Sequence, residues 1–197
     1  MAEIIALFIF ITVMVGTPGP ANLIMMSAGV NYGFRRSVPF MTGIVIGKLA
    51  LNVAMAAGFY DLFLRHPNLL DILKYISAAY MLWLSFKMAK TPINTDRKEM
   101  VKAPGPMEGL IVHPLNPKAY AMMMIAWSDY GQNYDDNFTR LLIIGGCFGI
   151  VQIIAHSVWC MAGAHLIKLI TDDKIQRKVQ ISLSLITALV VLYVVFK

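Results

Sequence analysis

The sequence predicts an all-α, polytopic membrane protein with six transmembrane helices, a 3+3 inverted repeat in which helices 1 and 4 are broken. Three observations carry this expectation. Hydrophobic residues make up 58% of the 197-residue chain and charged residues only 14%, against ~45–50% and ~25% in an average soluble domain. Several apolar runs reach the ~20 residues that a spanning helix needs. Prolines interrupt the first and fourth of these runs. With so few charged side chains there is too little polar cover for a soluble surface, and the chain is too apolar to be disordered. Two cysteines are too few for a disulfide framework.

The runs follow in order. Ile4–Phe34 holds 31 residues without a charge. Its start, Met1-Ala2-Glu3, lacks the basic segment of a signal peptide, and the apolar stretch is too long for one, so the segment reads as retained. Ser37–Tyr60 contains only Lys48, Leu69–Phe86 has Asp71 and Lys74 near its start, and Gly109–Ser128 contains only Lys118. Leu141–Ile167 is uncharged over 27 residues and Val179–Phe196 over 18. No strong period-2 alternation suggests an outer-membrane barrel. The linker between the halves is rich in proline and charge, with Pro92, Pro104, Gly105 and Pro106. The expected organisation is one transmembrane domain over 1–197: a first repeat at about 1–90, a cytoplasmic linker at about 91–107 and a second repeat at about 108–197.

The net charge of +6 sits in short connections and forms no broad face, so nucleic acid is not an expected partner. Arg35, Arg36, Lys87, Lys90, Arg97, Lys98, Lys102, Lys168, Lys174, Arg177 and Lys178 fall after runs 1, 3 and 5; Arg65, Lys74, Arg140 and Lys197 fall on the other side. By the positive-inside rule the first set faces the cytoplasm and both termini face outward. Three spans per half would place a duplicated half upside down in the bilayer, the arrangement of inverted-repeat transporters. Pro20 and Pro117 are 97 residues apart, and Gly43-x-x-x-Gly47 precedes Gly145-x-x-x-Gly149 by 102, a repeat signal with a longer loop at Asp129–Arg140. The small stripe Gly43, Gly47, Ala50, Ala54 packs either within the chain or across a homodimer.

Thr17-Pro18-Gly19-Pro20 lies mid-run. Two prolines remove two backbone donors and clash with the preceding turn, so the helix breaks there. Backbone freed at that depth needs protein or water partners, which favours a cavity over a mere packing kink. Asn116-Pro117-Lys118 repeats the situation in run 4. An ammonium at the bilayer centre costs at least ~2.5–3.5 kcal/mol without water or a partner; the alternative is a tilted helix that brings Lys118 to the interface. The half-helix after each break offers free N–H groups and a positive dipole end. With Lys118, and amides from Asn22 and Asn116, such a site suits a carboxylate with a nearby ammonium, that is, an amino acid. Pro18, Gly19, Pro20, Asn22, Asn116, Pro117 and Lys118 are therefore the candidate substrate-binding residues.

Thr17-Pro18-Gly19-Pro20-Ala21-Asn22-Leu23 resembles the helix-1 motif of the LysE/RhtB-type amino-acid exporters. Asn116-Pro117-Lys118-Ala119 resembles their helix-4 motif, and Ala78–Lys87 is similar to the end of their helix 3. The resemblance covers nearly the whole chain. It implies export of amino acids or close derivatives across the cytoplasmic membrane of a bacterium, driven by the proton gradient. The chain departs from the pattern at Ala21, where many members carry Asn or Asp; the Asn22 side chain points ~100° away from that position on a helix.

Gly145, Gly149, Gln152, His156 and Cys160 share one face of run 5. His156 is either a proton-coupling residue or a neutral histidine bonded to a neighbouring helix. Lys48, four residues before Asn52, is the second proton-coupling candidate. Cys147 and Cys160 are ~20 Å apart along one helix and cannot pair. Fourteen methionines raise the alternative of a small-ion or metal exporter on the same scaffold, although methionine commonly fills apolar gaps. No metal-ligand spacing is present and no cofactor is expected. The sequence has no GxSxG, no HExxH and no paired acids within the runs, so an enzyme is not expected. The expected partners are an amino-acid substrate, protons and the lipid bilayer.

Overall fold

The computed structural model describes residues 2–91 and 102–196. Most of the expected linker, with Pro92, Arg97 and Lys98, and the terminal Lys197 lie outside the described residues. Within them the chain is helical: α1 (Ala2–Gly16), α2 (Pro20–Tyr32), α3 (Phe34–Ala54), α4 (Tyr60–Arg65), α5 (Asn68–Lys90), α6 (Pro106–Leu110), α7 (Pro117–Ile125), α8 (Asn137–Lys168) and α9 (Asp173–Phe196).

The prolines set the breaks. Pro20 and Pro117 each occupy the first turn of a helix, where a missing N–H costs nothing. α1 and α2 meet at a 54° bend. α3 continues into α4 through a π-helical turn, Met55–Phe59, in which Gly58 takes φ 114°. α2 ends at Gly33, whose φ of 75° is strained for any other residue and reverses the chain into α3.

Four segments are long and apolar enough to cross a membrane: 34–65, Asn68–Lys90, Asn137–Lys168 and Asp173–Phe196; the bent pair α1–α2 makes a fifth. The expected run Gly109–Ser128 is not one helix. It divides into the five-residue α6, a stretch of turns over 111–115, and the nine-residue α7 with a π-helical turn at Ala126–Tyr130. Pro114 and Pro117 withhold donors there, so neither piece alone has spanning length. Large apolar side chains are exposed along the bundle, among them Ile46, Val53, Ile76, Ile154 and Leu189. Such continuous apolar surface fits lipid and not water.

Hydrogen bonds define the two ends. At one, Asn31 of α2, Met88 of α5 and Gln180 of α9 are joined through Gln180 Nε2, 2.8 Å from both Asn31 Oδ1 and the Met88 carbonyl. Arg35, Arg36, Lys87, Lys90, Lys174 and Arg177 gather at this basic end. At the opposite end, Asn52 of α3 donates to the Leu141 carbonyl of α8 at 3.0 Å and accepts from Trp127 Nε1 at 2.9 Å. Each end has its own apolar cluster, one around Leu7, Ile11, Trp127 and Phe148, the other around Ile24, Met25, Phe40 and Met81. Between them lies a layer of buried polar side chains: Asn22, Lys48, His113, Asn116, Gln152 and His156.

The two GxxxG motifs do different jobs. Gly43 and Gly47 let α6 approach α3 so closely that a Cβ would run into the carbonyls of Pro106 and Leu110. This places part of the small stripe within the chain. Gly145 meets the Asn52 amide and Gly149 only Leu49 Cδ2 at 3.7 Å. The close backbone approach on α8 is made by Gly163, which faces the Met26 carbonyl of α2.

Candidate functional site

Both helix breaks open onto one cavity in the polar layer. It is lined by Met14, Val15, Gly19, Ala21, Asn22, His113, Asn116, Lys118, Met122, Gln152 and His156. The space open to the centres of water-sized spheres is about 20 Å³, room for about one water. The space is therefore too small for an amino acid in this conformation, and a larger ligand fits only when the helices around it move.

At the first break, the last carbonyls of α1 and the carbonyl of Thr17 accept from side chains. Asn22 Nδ2 donates to the Val15 carbonyl at 2.6 Å and to the Thr17 carbonyl at 3.0 Å. Lys118, from the other half of the chain, donates to Thr17 Oγ1 at 2.8 Å and to the Thr17 carbonyl at 3.3 Å. Gly19 has to be small here, because a Cβ would crowd the Lys118 side chain, 3.1 Å from its Nζ. Gly19 caps α2 without a side-chain acceptor, so the first amides of α2 remain available beside the cavity.

At the second break, Asn116 caps α7 by accepting from the Lys118 amide at 3.1 Å. Tyr120 donates its hydroxyl to the Pro114 carbonyl at 2.6 Å. The turns between α6 and α7 insert His113 into the layer, 2% exposed. Its Nε2 lies 2.8 Å from Gln152 Nε2 and 3.4 Å from His156 Nε2. His156 Nδ1 is 3.0 Å from Asn22 Oδ1. Since the Asn22 amide nitrogen is spent on two carbonyls, its oxygen accepts and His156 Nδ1 donates.

The structure thus brings together Gly19, Asn22, Asn116, Lys118 and His156 of the residues expected from sequence. Lys118 is half-buried, not sequestered, because the break beside it leaves its ammonium a path to the Thr17 hydroxyl and the surface. Pro18 lies outside the cavity, in a surface groove shared with Lys118, Val190 and Tyr193. Pro20 and Pro117 shape the helix starts and do not line the cavity. The fully buried lysine is Lys48: its Nζ donates to the Ala119 carbonyl of α7 at 3.2 Å and lies 4.0 Å from the Phe148 ring centroid. His113, Thr17 and Gln152 were not among the expected site residues. His113 had a signal, as an ionisable residue inside an apolar run. No acidic side chain lines the cavity among the described residues.

The chain is 29% identical over 153 residues to a cysteine/O-acetylserine efflux protein of Salmonella typhi, covering 75% of each chain. The protein of that name from Salmonella typhimurium (strain LT2) matches to the same extent. That of Escherichia coli (strain K12) is 32% identical over 80 residues, 41% of each chain. No solved structure matches. A family model described as LysE type translocator matches residues 12–197, and the chain belongs to that family.

Proposed function

We propose that this protein exports small amino acids, of the class of cysteine and O-acetylserine, across the bacterial cytoplasmic membrane, with protons as the coupling ion. The observation that carries the reading is the convergence of two helix starts and one lysine on a cavity without acidic walls. A substrate carboxylate is held by the Lys118 ammonium, the uncapped amides of α2 and the positive end of its dipole. Asn116 fixes the first turn of α7, and with it the base of the Lys118 side chain. The alternative of a metal exporter has Met14, Met122, His113 and His156 in its favour as soft ligands. Lys48 and Lys118, uncompensated by any lining carboxylate, oppose a cation there.

The chain is read as two inverted halves, about 1–90 and 108–197, joined by a cytoplasmic linker. The basic end faces the cytoplasm and both termini face outward. Single cysteines placed on that premise next to Glu3 and next to Lys87 test it: an impermeant thiol reagent added to intact cells should label the first and spare the second. The reverse pattern overturns the orientation.

The direct test of the site is Lys118→Met in reconstituted vesicles. The variant keeps much of the apolar length and loses the charge. Removing a charge-assisted bond costs ~1.5–3 kcal/mol, a ten- to hundred-fold loss of affinity at ~1.4 kcal/mol per decade. Cysteine counterflow in the variant should fall accordingly, with insertion unchanged. Parent-like counterflow removes Lys118 from the substrate site.

A further inference from the structure

We propose that the His113–His156 pair is the point at which the substrate's ammonium group and the coupling proton exclude one another. The inference rests on the reading of the cavity as an amino-acid site and assigns a partner to the substrate's second charged group. Lys118 and the start of α2 account for the carboxylate. The ammonium has no acidic partner, so it needs a neutral acceptor. Most acceptors in the wall are already taken. The Val15 and Thr17 carbonyls receive Asn22 and Lys118, Asn22 Oδ1 receives His156, and the Ala119 carbonyl receives Lys48. Two buried polar atoms in the cavity-lining residues have no hydrogen-bond partner: His113 Nδ1 and Gln152 Oε1.

The proton count on the pair decides what His113 Nδ1 can do. His156 Nδ1 carries a hydrogen, because it faces Asn22 Oδ1. In the neutral pair, the lone pair on His156 Nε2 faces His113 Nε2, which must carry the hydrogen between them. His113 Nδ1 then holds a lone pair and can accept from an ammonium. The Gln152 amide turns its oxygen toward the His113 Nε2 hydrogen. When one proton is added, it enters at His113 Nδ1, and the hydrogen on His113 Nε2 passes to His156 Nε2. The single lone pair of His113 Nε2 is then shared between the His156 hydrogen, with the nitrogens 3.4 Å apart, and the Gln152 amide nitrogen at 2.8 Å. The pair has gained one proton and one charge. His113 Nδ1 has changed from acceptor to donor, and an ammonium is excluded by both hydrogen bonding and charge.

The groups facing the pair fit a single exchangeable charge. α3 presents Lys48, whose ammonium is bound to the Ala119 carbonyl. α7 presents Lys118, and α8 contributes Gln152 and, one turn beyond His156, the buried Cys160. α1 and α2 line the cavity with Met14, Val15, Gly19, Ala21 and Asn22 and bring no titratable side chain. With Lys118 in its wall and Lys48 buried in the same polar layer, the cavity accommodates either the extra proton or the substrate's ammonium. Exclusion of one by the other is what obliges a carrier to return with a proton after releasing an amino acid.

The test uses the full-length protein in nanodiscs at pH 6.5 under reductant, with L-cysteine and with 3-mercaptopropionate, which lacks the amine. Proton release is measured by calorimetry in buffers of different ionisation enthalpy. Cysteine should release up to ~1 proton per molecule bound, and its affinity should rise with pH by up to about tenfold per unit where the pair is protonated. 3-Mercaptopropionate should release none. In His113→Gln and His156→Gln, cysteine should bind at least about tenfold more weakly, without proton release and without the pH dependence. Cysteine binding to the parent with no release, equal release by both compounds, or release that persists in both variants overturns the proposal. The parent's own pH profile decides the matter if the variants do not fold. If the parent binds neither compound nor any other amino acid, the amino-acid reading falls and this inference with it.

Discussion

The two halves of the molecule are closed by different means. Toward the basic end, backbone meets backbone. Gly43, Gly47 and Gly109 bring α3 and α6 together, and Gly29 and Gly163 bring α2 against α8, each at a distance that a Cβ would make impossible. Toward the opposite end, side chains do the closing. Trp127 and Asn52 link the π-helical turn after α7 to α3 and α8. Phe63 packs edge-on to Tyr120, with centroids 5.9 Å apart, and Phe10 stacks on Tyr130 at 5.4 Å. Rotamer changes can loosen the second kind of contact and cannot loosen the first. In this conformation the aromatic end is the softer one, and opening the basic end requires helices to move as rigid bodies.

The largest expected effect comes from filling a backbone contact. Gly163→Val places a branched side chain against the Met26 carbonyl. Overpacking of this kind costs ~1–3 kcal/mol or more, so the melting temperature in detergent should fall markedly. Gly146→Val, on the same helix, is the control: a Cβ there meets nothing within 4 Å, and the change should stay within ~0.5 kcal/mol. Equal melting of the two variants would mean that the basic end is not closed by backbone contact.

A smaller effect is expected at the aromatic end. Trp127→Phe keeps an aromatic ring, though a smaller one, and removes the indole N–H, leaving the buried Asn52 Oδ1 without a donor. That costs about 1–3 kcal/mol. Because the bond closes one end of the site, the variant should also admit thiol reagents more readily at a cysteine placed at Met122. Reduced stability with unchanged access would show that the Trp127–Asn52 bond stabilises the fold without gating the cavity.

Much of this arrangement was legible in the sequence, because the signals were local. Pro18, Pro20 and Pro117 forbid a continuous helix whatever surrounds them. Lys48, Lys118 and His156 stand out as ionisable groups in apolar runs, and Gln152 falls on the face of His156 by spacing alone. What the sequence did not disclose is pairing between elements. Run 4 read as one helix broken at Asn116-Pro117, so His113 passed as one more helical position, when the turns at 111–115 in fact push it against α8. GxxxG spacing marked Gly145 and Gly149, whereas the close backbone contact on α8 is at Gly163, whose partner on α2 has no sequence signature. Lys118 was expected near the bilayer centre or, on a tilted helix, at the interface, since spacing gives depth along a run and not the opening beside it.

The smallest expected effect is again at the aromatic end, at the start of α8, where the contact is made by one charged cap. Asp136 accepts from the Thr139 amide and hydroxyl, both at 2.8 Å. These bonds hold its carboxyl below the usual carboxylate value, the backbone bond more than the side-chain bond, with a lesser pull from Arg140. A lowered value in the folded protein means the cap contributes fully above the ordinary carboxylate range, near ~4, and is lost as pH falls through the lowered value. Amide exchange in the first turn of α8, corrected for its intrinsic rate, should therefore quicken on acidification in the parent. Asp136→Asn retains an acceptor oxygen at the cap and has no proton to take up, so its exchange should not change over that range. Because the basic-end contacts are backbone against glycine, exchange around Gly163 should be insensitive to the same acidification in both proteins. A parallel response at Gly163 and Thr139 would mean that acid opens the whole bundle at once, and the two ends would not differ in how they are held.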